Sequence, residues 1–122
     1  MKQNGHLTVF LVFQHIEKPA VGGKVELKAA TIKACEPVPK AKKLLKLTLD
    51  DGSGKDRIVA SGIAKYYKPE ELIGHTVVVV SNLKPAVLCG VESCGMILAA
   101  DAGEADVKVI FVDGIPAGSK VR

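Results

Sequence analysis

A chain of 122 residues is the length of one domain, and its 48% apolar content is enough for a core that Leu, Ile, Val and Ala must fill, because only 4% is aromatic. Seventeen Lys and Arg against 13 Asp and Glu leave a net charge of +4, which suits a polyanionic partner without requiring one. Cys35, Cys89 and Cys94 are an odd set without paired CxxC spacing, which argues against a disulfide framework and a zinc site and implies neither metal nor cofactor.

The apolar run at residues 7–13 is too short to span a bilayer and lacks the features of a secretory signal, so the chain reads as cytoplasmic. Residues 24–34 alternate, with Val25, Leu27 and Ala29 opposed to Glu26 and Lys28, as expected of a first long strand. Lys33, Lys40, Lys42, Lys43 and Lys46 then fall in one short interval broken by Pro37 and Pro39, with Glu36 as the nearby acid. They concentrate positive potential on one loop and the strand after it, where RNA phosphates would meet them first.

Residues 44–50 place Leu45, Leu47 and Leu49 on one face and Lys46, Thr48 and Asp50 on the other. Asp51-Gly52-Ser53-Gly54 supplies a hairpin turn, and the chain returns through residues 57–60. Pro69, Glu70, Glu71 and Gly74 mark a helix of one to two turns, with Pro at the first position and Gly at its end. Residues 75–80, 96–100 and 107–112 complete a set of short strands. One small helix between the third and fourth strands suits an all-β, five-stranded Greek-key OB-fold barrel with extra terminal strands.

Residues 7–13 and 107–112 are apolar on both strand faces, whereas a small barrel buries only its inner one. Either the two segments cover each other or a second subunit covers them, and a homodimer is the favoured reading. The chain thus divides into an N-terminal extension at 1–23, a candidate dimerisation strand, and an OB-fold domain at 24–122 with a C-terminal dimerisation segment.

Catalysis finds little support. His6, His15 and His75 are scattered, without partners at triad or HExxH spacing, and Glu70 and Glu71 suit the helix dipole better than acid–base work. Gly52-Ser53-Gly54-Lys55 has Asp56 where a phosphate loop needs Ser or Thr, so it reads as a turn. The catalytic alternative is thiol chemistry through Cys89 and Cys94.

Ser61-Gly62-Ile63-Ala64-Lys65-Tyr66-Tyr67, Pro69-Glu70-Glu71-Leu72-Ile73-Gly74, Asn82-Leu83-Lys84-Pro85 and Gly90-Val91-Glu92-Ser93-Cys94-Gly95-Met96 follow in one order. That order resembles the tRNA-binding OB-fold domain of the methionyl-tRNA synthetase C-terminus, also found as a stand-alone structure-specific tRNA-binding protein. The resemblance covers residues 25–122. It implies non-catalytic binding of tRNA by shape, at the outer corner of the L, supplying tRNA to a partner such as the methionyl-tRNA synthetase catalytic body.

Carried over residue by residue, the resemblance assigns RNA contact to Lys43, Asn82, Lys84, Ser93 and Met96. The lysines would neutralise phosphates, Asn82 and Ser93 would meet ribose and phosphate oxygens, and Met96 would lie against a base or sugar. Three positions depart from the family pattern: Cys94 stands where Glu is usual, Val38 replaces a common His, and Ala60 is an extra residue that suggests a bulge before Gly62. The alternative within the same resemblance is a chaperone-like or export-associated homologue that holds unfolded polypeptide on the same barrel.

Overall fold

The computed structural model describes residues 25–102 and 106–122, so the apolar run at 7–13 and the extension at 1–23 lie outside the described residues. The elements are β1 (Leu27–Val38), β2 (Ala41–Asp50), β3 (Asp56–Ser61), α1 (Pro69–Leu72), β4 (Thr76–Val80), β5 (Ala86–Leu88), β6 (Val91–Ser93), β7 (Met96–Ile97), β8 (Ala99–Asp101), β9 (Val107–Val109) and β10 (Lys120–Val121). The main sheet runs β3-β2-β1-β4-β7 with every pair antiparallel. Three hairpin-linked strands followed by a fourth that returns beside the first is the Greek-key order expected.

The alternation of β2 is realised as burial. Leu45, Leu47 and Leu49 are buried, and they pack with Ile32, Val59, Val77 and Val79 in the main core. Among the described residues no ring occupies the centre of that cluster; Tyr66, Tyr67 and Phe111 pack against it while only partly buried. β1 pairs with β4 as far as Thr31, with β10 at Leu27 and Lys28, and with β2 from Thr31 onward, so Thr31 lies opposite both Thr76 and Asp50. Its register against β2 shifts between Ile32 and Ala34, and the Ile32 N–H donates to the His75 carbonyl at 2.9 Å. A second shift falls between Pro37 and Val38, as suits a proline that cannot donate to a ladder.

The expected bulge at Ala60 is absent. β2 and β3 pair without interruption from Leu45↔Ser61 to Asp50↔Asp56, so the strand bends are in β1. The basic interval is also more ordered than a loop: β1 continues to Val38 and β2 begins at Ala41, leaving Pro39-Lys40 as the tip and placing Lys42 and Lys43 on a strand. α1 begins at Pro69 as expected, and the Glu71 carboxylate accepts the Lys68 N–H at 2.7 Å. The buried Leu72 fixes it to the core, and the Gly74 N–H donates to the Ile32 carbonyl at 2.9 Å.

The segment expected as one strand at 107–112 is split. β9 pairs with β8, Val107 and Val109 are buried, and Phe111 bridges to Val77. Phe111 also packs against His75 at 4.4 Å between ring centroids, and Asp113 holds His75 through Nδ1 at 2.8 Å. That leaves Ile110, 42% exposed, as the large apolar side chain of the segment that faces outward.

Candidate nucleic-acid interface

The β2–β3 register sorts the side chains of these strands. Leu45, Leu47 and Leu49 with Val59 point inward, so Lys46, Thr48 and Ile58 occupy the alternate positions on the outer face, where each is half-buried. Two connections border that face. One is the β1–β2 hairpin with Lys40, Lys42 and Lys43; the other is the long excursion at 81–95 between β4 and β7, which carries Lys84 and the β5–β6 hairpin. The β2–β3 face and these two loops are the surfaces through which OB barrels commonly bind oligonucleotides.

The lysines divide into neutralised and available groups. Lys33 pairs with Asp56 at 2.6 Å and Lys46 with Glu36 at 3.5 Å, so both spend part of their charge within the domain. Lys40, Lys42, Lys43 and Lys84 are exposed and form no salt bridge with any described residue. Lys65, not singled out from the sequence, joins the hairpin group, because the Ala64 N–H donates to the Lys43 carbonyl at 3.1 Å and brings this exposed side chain to the same end of the barrel. A polyanion would find four or five uncompensated cations there.

The 81–95 excursion is held in several places. At its start the Asn82 side chain accepts the Glu26 N–H at 2.8 Å, tying the excursion to the entry of β1. β5 and β6 then form a tight hairpin whose two turn residues, Cys89 and Gly90, have φ of 50° and 85°, the left-handed pair that a two-residue hairpin turn demands. Val87 and Glu92 face each other on its outward side, and Val87 is 69% exposed.

At its end Ser93 is only 1% exposed; its hydroxyl accepts the Ala60 N–H at 3.0 Å and donates to the Gly95 carbonyl at 3.0 Å. The Cys94 N–H donates to the Ile58 carbonyl at 2.8 Å, so β3 and the end of the excursion lie side by side. The bond is made by the Cys94 backbone, so it does not depend on the side chain at this position. Gly95 has φ of 144°, and a Cβ in its place would sit 2.6 Å from the Val80 carbonyl oxygen.

Met96, 5% exposed, packs with Val80 and Leu83 in a second, smaller cluster. This cluster lies on the face of β4 opposite the main core and supports the excursion from behind. Of the five residues expected at the interface, Lys43 and Lys84 are exposed, Asn82 is half-buried, and Ser93 and Met96 are inside. In this structure the Ser93 hydroxyl is engaged with β3 and the Met96 side chain packs on Val80 and Leu83.

A family model described as "Putative tRNA binding domain" matches residues 27–120, which include both bordering connections and the face between them. The chain belongs to this tRNA-binding domain family. Over 100 residues, 81% of the chain, it is 55% identical to a methionine–tRNA ligase of Methanocaldococcus jannaschii, and the match covers 15% of that protein. A methionine–tRNA ligase of Deinococcus radiodurans is 54% identical over 101 residues, with 14% of that protein covered. The chain therefore spans about a seventh of the length of the curated relatives it matches.

Among solved structures, a protein related to methionyl-tRNA synthetase from Pyrococcus horikoshii superposes with a TM-score of 0.75 at 37% identity, covering 80% of this chain and 90% of that one. The chaperone CsaA of Bacillus anthracis superposes with a TM-score of 0.72 at 27% identity, with the same coverage of 80% and 90%. The all-β, OB-like architecture and the tRNA-binding domain family thus stand together.

Two residues of this region were not singled out from the sequence. Asp51, 3% exposed, accepts the Arg57 Nε–H at 2.8 Å and the Ser53 N–H at 3.0 Å. Burial alone pushes the Asp51 carboxyl up, but the hydrogen bonds from Ser53 and Arg57 outweigh it and bring its pKa down from 3.8 to about 2. A depressed folded-state pKa contributes stability that is complete above the unfolded value and is lost as pH falls through the folded one. Between about pH 4 and pH 2 the wild-type chain should therefore lose roughly 2 kcal/mol more stability than Asp51→Asn, as measured by urea unfolding at each pH.

Proposed function

We propose that this chain is a non-catalytic, structure-specific tRNA-binding module that meets the outer corner of the L and supplies tRNA to a partner enzyme in the cytoplasm. It would do so as a stand-alone protein or as the C-terminal domain of a methionyl-tRNA synthetase. The observation that carries this reading is the set of exposed lysines that form no salt bridge with any described residue, Lys40, Lys42, Lys43 and Lys84, on the two connections that border the β2–β3 face of a tRNA-binding family domain. Lys43 and Lys84 take the phosphates, Asn82 presents Lys84, and Ser93 and Met96 serve the site from inside.

The face supports recognition of folded RNA over single strands. Its outer positions carry Lys46, Thr48 and Ile58, so the β2–β3 face itself presents no row of rings for stacking successive bases. Phosphate and ribose contacts on a rigid shape remain. A gel-shift panel tests this: several unrelated tRNAs should bind within about threefold of one another, and single-stranded RNA at least about tenfold more weakly. A strong preference set by one anticodon would count against it.

The likeness to a chaperone and the exposed Val87 favour a second reading, a polypeptide-binding homologue. Displacement of bound tRNA by an unfolded peptide would select it.

The homodimer is likewise proposed. Phe111 is committed to His75 and Val77 within the chain, so Ile110 is the position at which dimerisation is cleanly probed. Ile110→Lys should shift light scattering to the monomer mass and weaken tRNA binding, and a wild-type chain monomeric at micromolar concentration would remove the proposal.

A further inference from the structure

We propose that Arg57 is a positioning residue of the RNA interface, clamping both ends of the 81–95 excursion so that Lys84 and the β5–β6 hairpin are presented in one orientation. The inference rests on the tRNA-binding reading above and adds a residue to it. The Arg57 Nη1 donates to the Ser81 carbonyl at 3.1 Å and to the Cys94 carbonyl, the residues on either side of the excursion. Its Nε donates to Asp51, which is itself buried in the β2–β3 turn. A single planar guanidinium thus joins three segments: the turn at Asp51, the exit of β4 and the approach to β7.

The arrangement suits positioning more than contact. The Arg57 side chain is mostly buried, its donors are directed at protein oxygens, and its charge faces the Asp51 carboxylate at 2.8 Å. The excursion it holds contains no long strand of its own; among the described residues β5 and β6 pair with each other alone, through Ala86↔Ser93, Val87↔Glu92 and Leu88↔Val91. Apolar packing of Leu83 and Ala86 and the Ser93 bond to Ala60 also hold it, and the Arg57 clamp is the polar contact that reaches both of its ends. An ammonium could not replace it, because a point charge cannot address a carboxylate and two carbonyls in one plane.

The sign of an Asp51 substitution separates positioning from electrostatics. Asp51→Asn removes a negative charge from the neighbourhood of an anion-binding face, so charge alone would make tRNA bind as well or better. Loss of the clamp makes it bind worse. We expect Asp51→Asn, Arg57→Gln and Arg57→Lys each to weaken tRNA binding by roughly 3- to 30-fold, with the slope of log affinity against log salt unchanged. Amide hydrogen exchange in the free full-length protein should quicken within 81–95 and not in β1, β2 and β4.

A slope shallower by about 0.7 to 0.9 in Arg57→Gln would make Arg57 a phosphate contact and overturn the proposal. So would wild-type affinity in Arg57→Lys, unchanged or tighter binding in Asp51→Asn, or faster exchange spread evenly over the barrel. A wild-type chain that binds no tRNA overturns the underlying function, whereas the four outcomes above, with wild-type binding intact, overturn the clamp alone.

Discussion

Raising the salt between about 50 and 200 mM should weaken tRNA binding on the order of 20- to 500-fold. The range follows from three to five neutralised phosphates, each contributing about 0.7 to 0.9 to the slope of log affinity against log salt. The count comes from the surface: Lys40, Lys42, Lys43 and Lys84 are exposed without an acidic partner among the described residues, and Lys65 stands beside Lys43. Lys33 and Lys46 add less, because Asp56 and Glu36 already hold them. Lys43→Ala and Lys84→Ala should each lower the slope by up to about one unit while moving stability by less than about 0.5 kcal/mol. Filter binding at four salt concentrations measures this, and a flat profile would rule out electrostatic binding by this face.

Met96→Ala should cost roughly 2 to 5 kcal/mol of unfolding free energy, the range for truncating a buried methionine. Met96 is 5% exposed and closes the small cluster with Val80 and Leu83, against which Leu27, Ala86 and Leu98 also pack. The cavity would open behind the excursion, so tRNA affinity should fall as well, with the salt slope preserved because no phosphate contact is lost. Denaturant unfolding and tRNA titration on the same sample distinguish this from a surface contact. A loss of affinity at wild-type stability would mean that Met96 touches RNA after all.

These two expectations show where legibility stopped. Lys43 and Lys84 were singled out by the resemblance, and their exposure is what a long charged side chain without a buried partner requires. The β2–β3 hairpin was readable from its own residues: Leu45, Leu47 and Leu49 recur with the strand period, and Asp51-Gly52-Ser53-Gly54 admits little but a turn. α1 was readable from Pro69, its acidic first turn and Gly74.

Ser93 and Met96 were not, because burial of a polar or flexible side chain depends on what arrives against it from elsewhere. Ser93 is buried by Ala60, 33 residues away, and Met96 by Val80 and Leu83. The same holds for β4, whose five residues are all buried because the main core covers one face and the small cluster the other.

What the sequence by itself determined is the set of local decisions: strand period, turn glycines, the short helix, the sign and place of the exposed charge, and the family. Each depends on neighbours within a few residues, where backbone geometry and side-chain period act directly. Only the tertiary structure decided which second faces are covered, that β1 bends at Ile32 and not β3 at Ala60, and that Arg57 joins Asp51, Ser81 and Cys94. The Arg57 contacts span 6 to 37 residues, and they form only where the closing sheet brings donors to acceptors that no local pattern announces.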